Sequence, residues 1–300
     1  MPYVLIGAIS IADIDTLVFC DRRYQNDSGT PMSGFPWYIE LAEQSVNLAF
    51  RLIPRKTPSH DRLTKARIIA HRGAHRLAGV KENTMAAFTP LVRHGVWGME
   101  CDVHFSKDLI PIISHDDNAM RVFNQPIKFS ELTLAEIKKR CPEIPTLAEI
   151  VQVFGKQLHL MIEIKSIPII NLGAQQAILS DILQPLCAGE DFHILMLNPD
   201  MVELVHFLPK HSLIAVALTN TRQISQFVSA NHWGGIAGQF LLLSNPIITH
   251  HQMRKQIVGS GFLTSKFALF RELNRGVYWI FTNHPLRLQR LLTNALNLDS

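Results

Sequence analysis

The chain is short of several things. Its 300 residues include only four cysteines, at 20, 101, 141 and 187, and no two are spaced as a paired metal site would need. A zinc ribbon or a disulfide scaffold is excluded, and a cytosolic set of free thiols is the simplest reading. Charged residues make up only 18%, against 47% apolar, so an ordered core is expected and disorder is not. The net charge of +4 and pI near 8.9 suit a phosphate-bearing partner, but the Lys and Arg residues are scattered with no long basic run. Nucleic-acid binding is therefore not expected. Met1 to Cys20 is apolar, yet Asp13 and Asp15 interrupt it and no positive charge precedes it. Neither a signal peptide nor a membrane span is expected.

What is present is a series of short apolar runs that stop at polar, chemically capable residues. Ile68-Ile69-Ala70 ends at His71, with Gly73 behind it to let the backbone turn. Trp97 to Val103 is a second run. Residues two apart on a strand share a face, so Glu100 and Asp102 point one way and Cys101 the other. Ile110 to Ser114 ends at His115, and Leu158 to Ile164 brings Glu163 and Lys165 onto one face. Parallel α/β barrels gather their chemistry at strand ends of this kind.

Glu100, Asp102 and Glu163 offer only oxygen ligands, which suit a hard divalent cation, Mg²⁺ or Ca²⁺, better than zinc. Any one of these acids could instead form an ion pair at the end of a barrel strand. Two acids on one buried strand face, however, are costly without a cation or proton between them. Most of the 14 histidines must be bystanders; His71 and His115 stand apart by their position at strand ends. An imidazole can take a proton from an attacking hydroxyl or give one to a departing alkoxide, and two across one phosphate can do both. Arg72 supplies a planar fork for phosphate oxygens and Lys165 a point charge.

The chain resembles the glycerophosphodiester phosphodiesterases. The matching stretches are Ala70-His-Arg-Gly, Glu82-Asn-Thr-Met-Ala-Ala-Phe88, Gly98-Met-Glu-Cys-Asp-Val103, Lys107-Asp108, Ile113-Ser-His-Asp116, Ile144-Pro-Thr-Leu-Ala-Glu149 and Ile162-Glu-Ile-Lys165. Gly276 to Pro285 is a looser match to the closing strand and turn. The resemblance implies a (β/α)8 TIM barrel and hydrolysis of a small-molecule glycerophosphodiester to an alcohol and glycerol 3-phosphate. It implies His71 and His115 as the acid–base pair and Glu100, Asp102 and Glu163 as ligands of a divalent cation. It also implies Arg72 and Lys165 as phosphate contacts and Glu82 as a polar contact of the first loop. The second half departs from the family pattern. Asn283 stands where Asp is usual, Met196-Leu197-Asn198 where a Ser-Phe pair is frequent, and the family's Trp-Thr-Val-Asn stretch has no counterpart around Gly261 to Thr264. Two rival readings are a lysophospholipase D or phospholipase D-like enzyme on lipid phosphodiesters, and a non-catalytic phosphate-binding barrel.

The remainder alternates helix and strand, as a parallel sheet requires. Helices are expected at 171–186, 199–207, 222–230, 246–256, 266–274 and 285–296, and strands at 192–197, 213–218, 235–243, 256–263 and 278–282. With the four earlier runs this gives nine strands for eight places, and 235–243 is the one expected to lie outside the barrel. Between His115 and the fourth run, Thr133 with Glu136 and Thr146 with Glu149 each spell a capping box. That stretch is too short for a separate insertion domain, so an open mouth is expected.

Residues 1–66 form an N-terminal extension ahead of a barrel over 67–300. Within it, 26–36 reads as a loop and Trp37 to Ile53 as an amphipathic helix, followed by a basic, Pro-containing linker. Packing on the barrel is the expected role. The alternative is a membrane-surface contact through residues 37–56, using Trp37, Tyr38, Phe50, Arg51, Arg55 and Lys56, with a cytoplasmic enzyme held peripherally at the membrane. A start at Met32 is a third reading.

Overall fold

The computed structural model describes residues 53–165 and 167–298. The expected helix at Trp37 to Ile53 falls, but for its last residue, outside the described residues, as do the loop at 26–36 and the Met32 alternative.

Among the described residues nine strands form one sheet, which closes because the first strand pairs with both the second and the last. The closure makes a barrel of eight parallel strands: β1 (Arg67–His71), β2 (Gly98–Phe105), β4 (His159–Ile164), β5 (Phe192–Met196), β6 (Leu213–Ala217), β7 (Gly235–Gln239), β8 (Ile257–Gly261) and β9 (Trp279–Thr282). The expected TIM barrel is found. The choice of outsider is corrected. Residues 235–239 are a barrel strand between β6 and β8, and the ninth strand, β3 (Pro111–Ile113), runs antiparallel on β2 with Phe105 opposite Pro111. Only residues 106–110 separate β2 from β3. A parallel crossover needs a dozen residues or more, whereas a short turn joins antiparallel strands readily. Ser106 builds that turn, accepting the Ile110 amide on its Oγ and donating to Asp108 Oδ1 at 2.6 Å.

Both capping boxes form, Thr133 with Glu136 on helix Leu134–Arg140 and Thr146 with Glu149 on helix Leu147–Phe154. The expected helix at 199–207 is a 3-10 helix, Pro199–Val205, whose cap Asn198 accepts from the Asp200 amide. Helix His60–Thr64 in the linker buries Leu63 and packs against helices Lys266–Asn274 and Pro285–Leu298.

The main apolar core lies between the strands and their outer helices, as the outward-facing Ile68, Ala70, Met99, Cys101, Leu160 and Ile162 show. A smaller core fills the barrel itself with Ile69, Met161, Leu195, Ile214, Ala237 and Phe281. Gly259 makes room for it, since a Cβ there would stand 2.8 Å from the Phe281 ring. Below this layer Trp97 stacks on His159 at 4.3 Å, with His193 and Trp279 completing an aromatic plug. The interior is thus filled from below, by the His159–His193 pair among its aromatic neighbours, and the carboxylates gather at the opposite, C-terminal side of the strands. No described helix is long and apolar enough to cross a membrane.

Candidate active site

Strand register assembles the site. In β1 and β2, His71 lies beside Glu100; in β2 and β4, Asp102 lies beside Glu163. Paired neighbours in parallel strands point to the same side, so four functional side chains enter the barrel mouth from three adjacent strands. The carboxylates of Glu100, Asp102 and Glu163 each offer an oxygen within 4.8 Å of the others. Lys165, just past β4, sets its Nζ 2.8 Å from Asp102 Oδ1 and 2.5 Å from Glu163 Oε1.

The β1 loop folds back over this cluster. Arg72 and Asn83 both adopt left-handed backbone at φ 56°, a strained conformation for residues with a Cβ. Between them Gly73 turns at φ 82° directly against helix Met85–Arg93, where a Cβ would come within 2.7 Å of Ala87. The strain places two donors. The Arg72 backbone N–H reaches Glu100 Oε2 at 2.9 Å, and Asn83 Nδ2 reaches Asp102 Oδ2 at 2.7 Å. The Arg72 guanidinium lies between Glu82 Oε1 at 3.2 Å and Asp102 Oδ2 at 3.4 Å.

The two histidines are each oriented through Nδ1. His71 Nδ1 is 2.7 Å from Asn283 Oδ1, past the end of β9, and its Nε2 stands 4.0 Å from Glu100 Oε2. His115 Nδ1 is 2.8 Å from Asp116 Oδ1, while its backbone carbonyl accepts from His104 Nε2 at 3.1 Å. Since an amide oxygen can only accept, the His71 proton sits on Nδ1 and leaves the Nε2 lone pair toward the carboxylates. His115 interacts electrostatically with Asp102 and Glu163.

Burial and charge set the protonation. Burial, reinforced by the Arg72 cation, pushes His71 down to about 3, so this imidazole is neutral at neutral pH. Burial and the neighbouring Asp102 and Glu163 charges push Glu100 well above the usual carboxylate range. Burial also raises Glu163, against the pull of Lys165. Asp102 is buried too, but Lys165 and Arg72 outweigh that and hold it low.

A divalent cation fits this cluster. Glu100 Oε1 is buried and has no hydrogen-bond partner, an arrangement that costs free energy unless a cation or proton meets it. The crowding of Asp102 and Glu163 beside Glu100, which raises its pKa, is the repulsion that a bound cation would relieve. The donors are all oxygens, which excludes a soft metal. Glu100, Asp102 and Glu163 are the residues that could hold the ion.

Every site residue singled out from the sequence, His71, Arg72, Glu82, Glu100, Asp102, His115, Glu163 and Lys165, lies at this one mouth. Sequence reasoning missed the residues that orient them. Asn83, Asp116 and His104 sit in or beside the quoted motifs, but nothing in the pattern says what they touch. Arg121, which donates to both Asp116 and Glu82 at 2.6 Å, carries no sequence signal at all.

A model of the glycerophosphoryl diester phosphodiesterase family matches residues 71–231, just over half of the chain. A glycerophosphodiester phosphodiesterase of Caldanaerobacter subterraneus subsp. tengcongensis is 34% identical over 130 residues, covering 39% of this chain and 53% of that protein. The chain spans about half the length of the first relatives it matches. Among solved structures, a glycerophosphodiester phosphodiesterase of Thermotoga maritima superposes with a TM-score of 0.64 at 20% identity, over 75% of this chain and 98% of that one. A phosphodiesterase of Oleispira antarctica, solved with the product sn-glycerol-3-phosphate, gives 0.63 at 21%, over 76% and 96%. At such identities these two likenesses establish the fold.

Proposed function

This chain belongs to the glycerophosphoryl diester phosphodiesterase family, and we propose that it hydrolyses glycerophosphodiesters to an alcohol and glycerol 3-phosphate with the help of a divalent cation. The observation that carries this reading is the meeting of three carboxylates, two Nδ1-anchored histidines and two cations at one barrel mouth. The solved Oleispira relative, which holds the product sn-glycerol-3-phosphate, supports it.

In this reading Arg72 and Lys165 bind the non-bridging phosphate oxygens and favour the charge that builds on them in the transition state. His71, neutral and presenting Nε2, accepts the proton of the attacking hydroxyl. His115, steadied by Asp116, protonates the departing alkoxide. Glu82 holds the Arg72 guanidinium in place. Glu100, Asp102 and Glu163 would hold the divalent cation, which when bound would supply Lewis-acid polarisation of the phosphoryl group. The oxygen-only ligand set accepts Mg²⁺ or Ca²⁺, and activity titrations with each distinguish them.

The test is purified full-length protein incubated with glycerophosphocholine, glycerophosphoethanolamine and lysophosphatidylcholine. Turnover of the first two supports the reading. Turnover of lysophosphatidylcholine alone replaces it with the lipid phosphodiesterase reading, and turnover of none leaves a phosphate-binding barrel. A cytoplasmic setting is supported by the free thiols of Cys101, Cys141 and Cys187. The membrane-surface contact through residues 37–56 rests on sequence alone, and sedimentation with anionic vesicles tests it.

A further inference from the structure

Arg121, in the short helix Met120–Phe123, grips two carboxylates from different loops. Its Nε donates to Asp116 Oδ2 and its Nη2 to Glu82 Oε1, each at 2.6 Å. Behind each carboxylate stands a functional group: His115 Nδ1 on Asp116 Oδ1 at 2.8 Å, and Arg72 Nη1 on the same Glu82 oxygen at 3.2 Å. The β1 loop and the segment after β3 are thereby joined across the mouth by one side chain. We propose that Arg121 is a positioning residue for the hydrolytic reaction, clasping Asp116 and Glu82 so that His115 and Arg72 face one phosphate in a fixed relation. The proposal rests on the hydrolase reading above.

The chemistry of the side chain suits this task. A guanidinium is planar, and its Nε and Nη edges can serve two carboxylates in fixed directions. A lysine ammonium is a point charge on a flexible stem. Arg121 is 48% exposed, whereas Asp116 and Glu82 are 16% and 13% exposed. Ion pairs with a solvent-exposed partner add little to stability, so the value of this one lies in geometry. Without the clasp, Asp116 loses the partner on its Oδ2 and is free to rotate away from the imidazole. Glu82 would be left with Arg72 as its one remaining ion-pair partner among the described residues.

The experiment compares the wild type with Arg121→Ala, Arg121→Lys and His115→Ala in the full chain. It measures kcat and KM, the thermal midpoint, and the imidazole nitrogen shifts of His115 by NMR. Both Arg121 variants should lose roughly 10- to 100-fold in kcat, the scale of a small misplacement of reacting groups, with a smaller change in KM. The thermal midpoint should stay close to that of the wild type. The His115 nitrogen shifts should move in Arg121→Ala. Guanidinium chloride at low, non-denaturing concentration should restore part of the activity of Arg121→Ala and none of that of His115→Ala. Wild-type kcat in Arg121→Ala, or full activity in Arg121→Lys, would overturn the proposal. So would a loss that guanidinium fails to rescue, or one that merely follows unfolding in both variants. If the wild type turns over no glycerophosphodiester, the proposed function fails on its own, and the His115 shifts alone decide the clasp: movement in Arg121→Ala supports it, and unchanged shifts refute it.

Discussion

His71 donates its Nδ1 proton to Asn283 Oδ1 at 2.7 Å, across 212 residues of sequence. The acceptor is a neutral amide, so the imidazole is oriented without being paired to a charge. An opposite charge nearby favours the protonated form of a histidine. Asn283→Asp should therefore raise the His71 pKa above its depressed value of about 3. A base works only when unprotonated, so the acid limb of kcat/KM should move to higher pH. Asn283→Leu should instead keep the limb low and cost about 10-fold in kcat through lost orientation. An acid limb that stays put in Asn283→Asp would show that His71 is not the base.

Replacing either imidazole should stop the chemistry and spare the fold. His71→Ala and His115→Ala should each lower kcat by roughly 10² or more, with far-ultraviolet circular dichroism unchanged. His250 is the kinetic control, since it bonds Ser229 on the outer helices. Its neighbour His251 is not an equivalent control, although both lie in a polar helical stretch. It is fully buried and bonds Ser225 Oγ and Gln256 Oε1, each at 2.8 Å. His251→Ala should cost about 1–3 kcal/mol by leaving buried partners unpaired, with kcat of the folded fraction intact. A His250→Ala enzyme as damaged as His71→Ala would refute the site assignment.

The carboxylate cluster makes a prediction readable without any substrate. Mn²⁺ should bind the wild type with a stoichiometry of one, measured by calorimetry, and Glu100→Gln should weaken it at least ~10-fold. In chelator the same variant should melt at a higher temperature than the wild type, because one of three crowded buried acids has been neutralised. Equal Mn²⁺ affinity in the two proteins would rule out Glu100 as a ligand.

At the opposite pole of the barrel, burial holds His159 at about 4 and His193 at about 3, while each would titrate near 6.5 when unfolded. Both values are depressed, so their stabilising contribution is present above pH 6.5 and is lost as pH falls toward 4. In that window the unfolded chain binds protons that the folded chain refuses, and each group costs up to ~1.4 kcal/mol per pH unit. The urea midpoint should fall between pH 7 and pH 5, and His193→Asn should flatten that slope even as it lowers stability at pH 7. An unchanged slope in His193→Asn would contradict the assignment of the acid sensitivity to this pair.

The parts of this protein legible in the sequence are those written locally. Apolar runs that reach His71 and Glu163 mark strand ends, period-two alternation puts Glu100 and Asp102 on one side, and the Thr133 and Thr146 boxes state where helices begin. A barrel then brings neighbouring strand ends together, which is why three separated acids form one cluster. The nature of β3 was also available, since five residues after Phe105 cannot make a crossover, but strand composition alone hides direction. Contacts made through the third dimension were not available. Asn283 meets His71, and Arg121 meets Glu82 39 residues away. Neither pairing leaves a spacing in the chain, because closure of the barrel and the path of the loops decide it.

Phosphorus-31 NMR of glycerophosphocholine turnover shows whether the groups at the barrel mouth carry out a cation-assisted hydrolysis. The wild type with Mg²⁺ or Ca²⁺ should convert the diester resonance to that of glycerol 3-phosphate. Conversion should cease on adding EDTA, return with excess divalent cation, and be at least about 10²-fold slower with His71→Ala. Undiminished conversion in EDTA, or release of phosphocholine in place of glycerol 3-phosphate, would contradict the account.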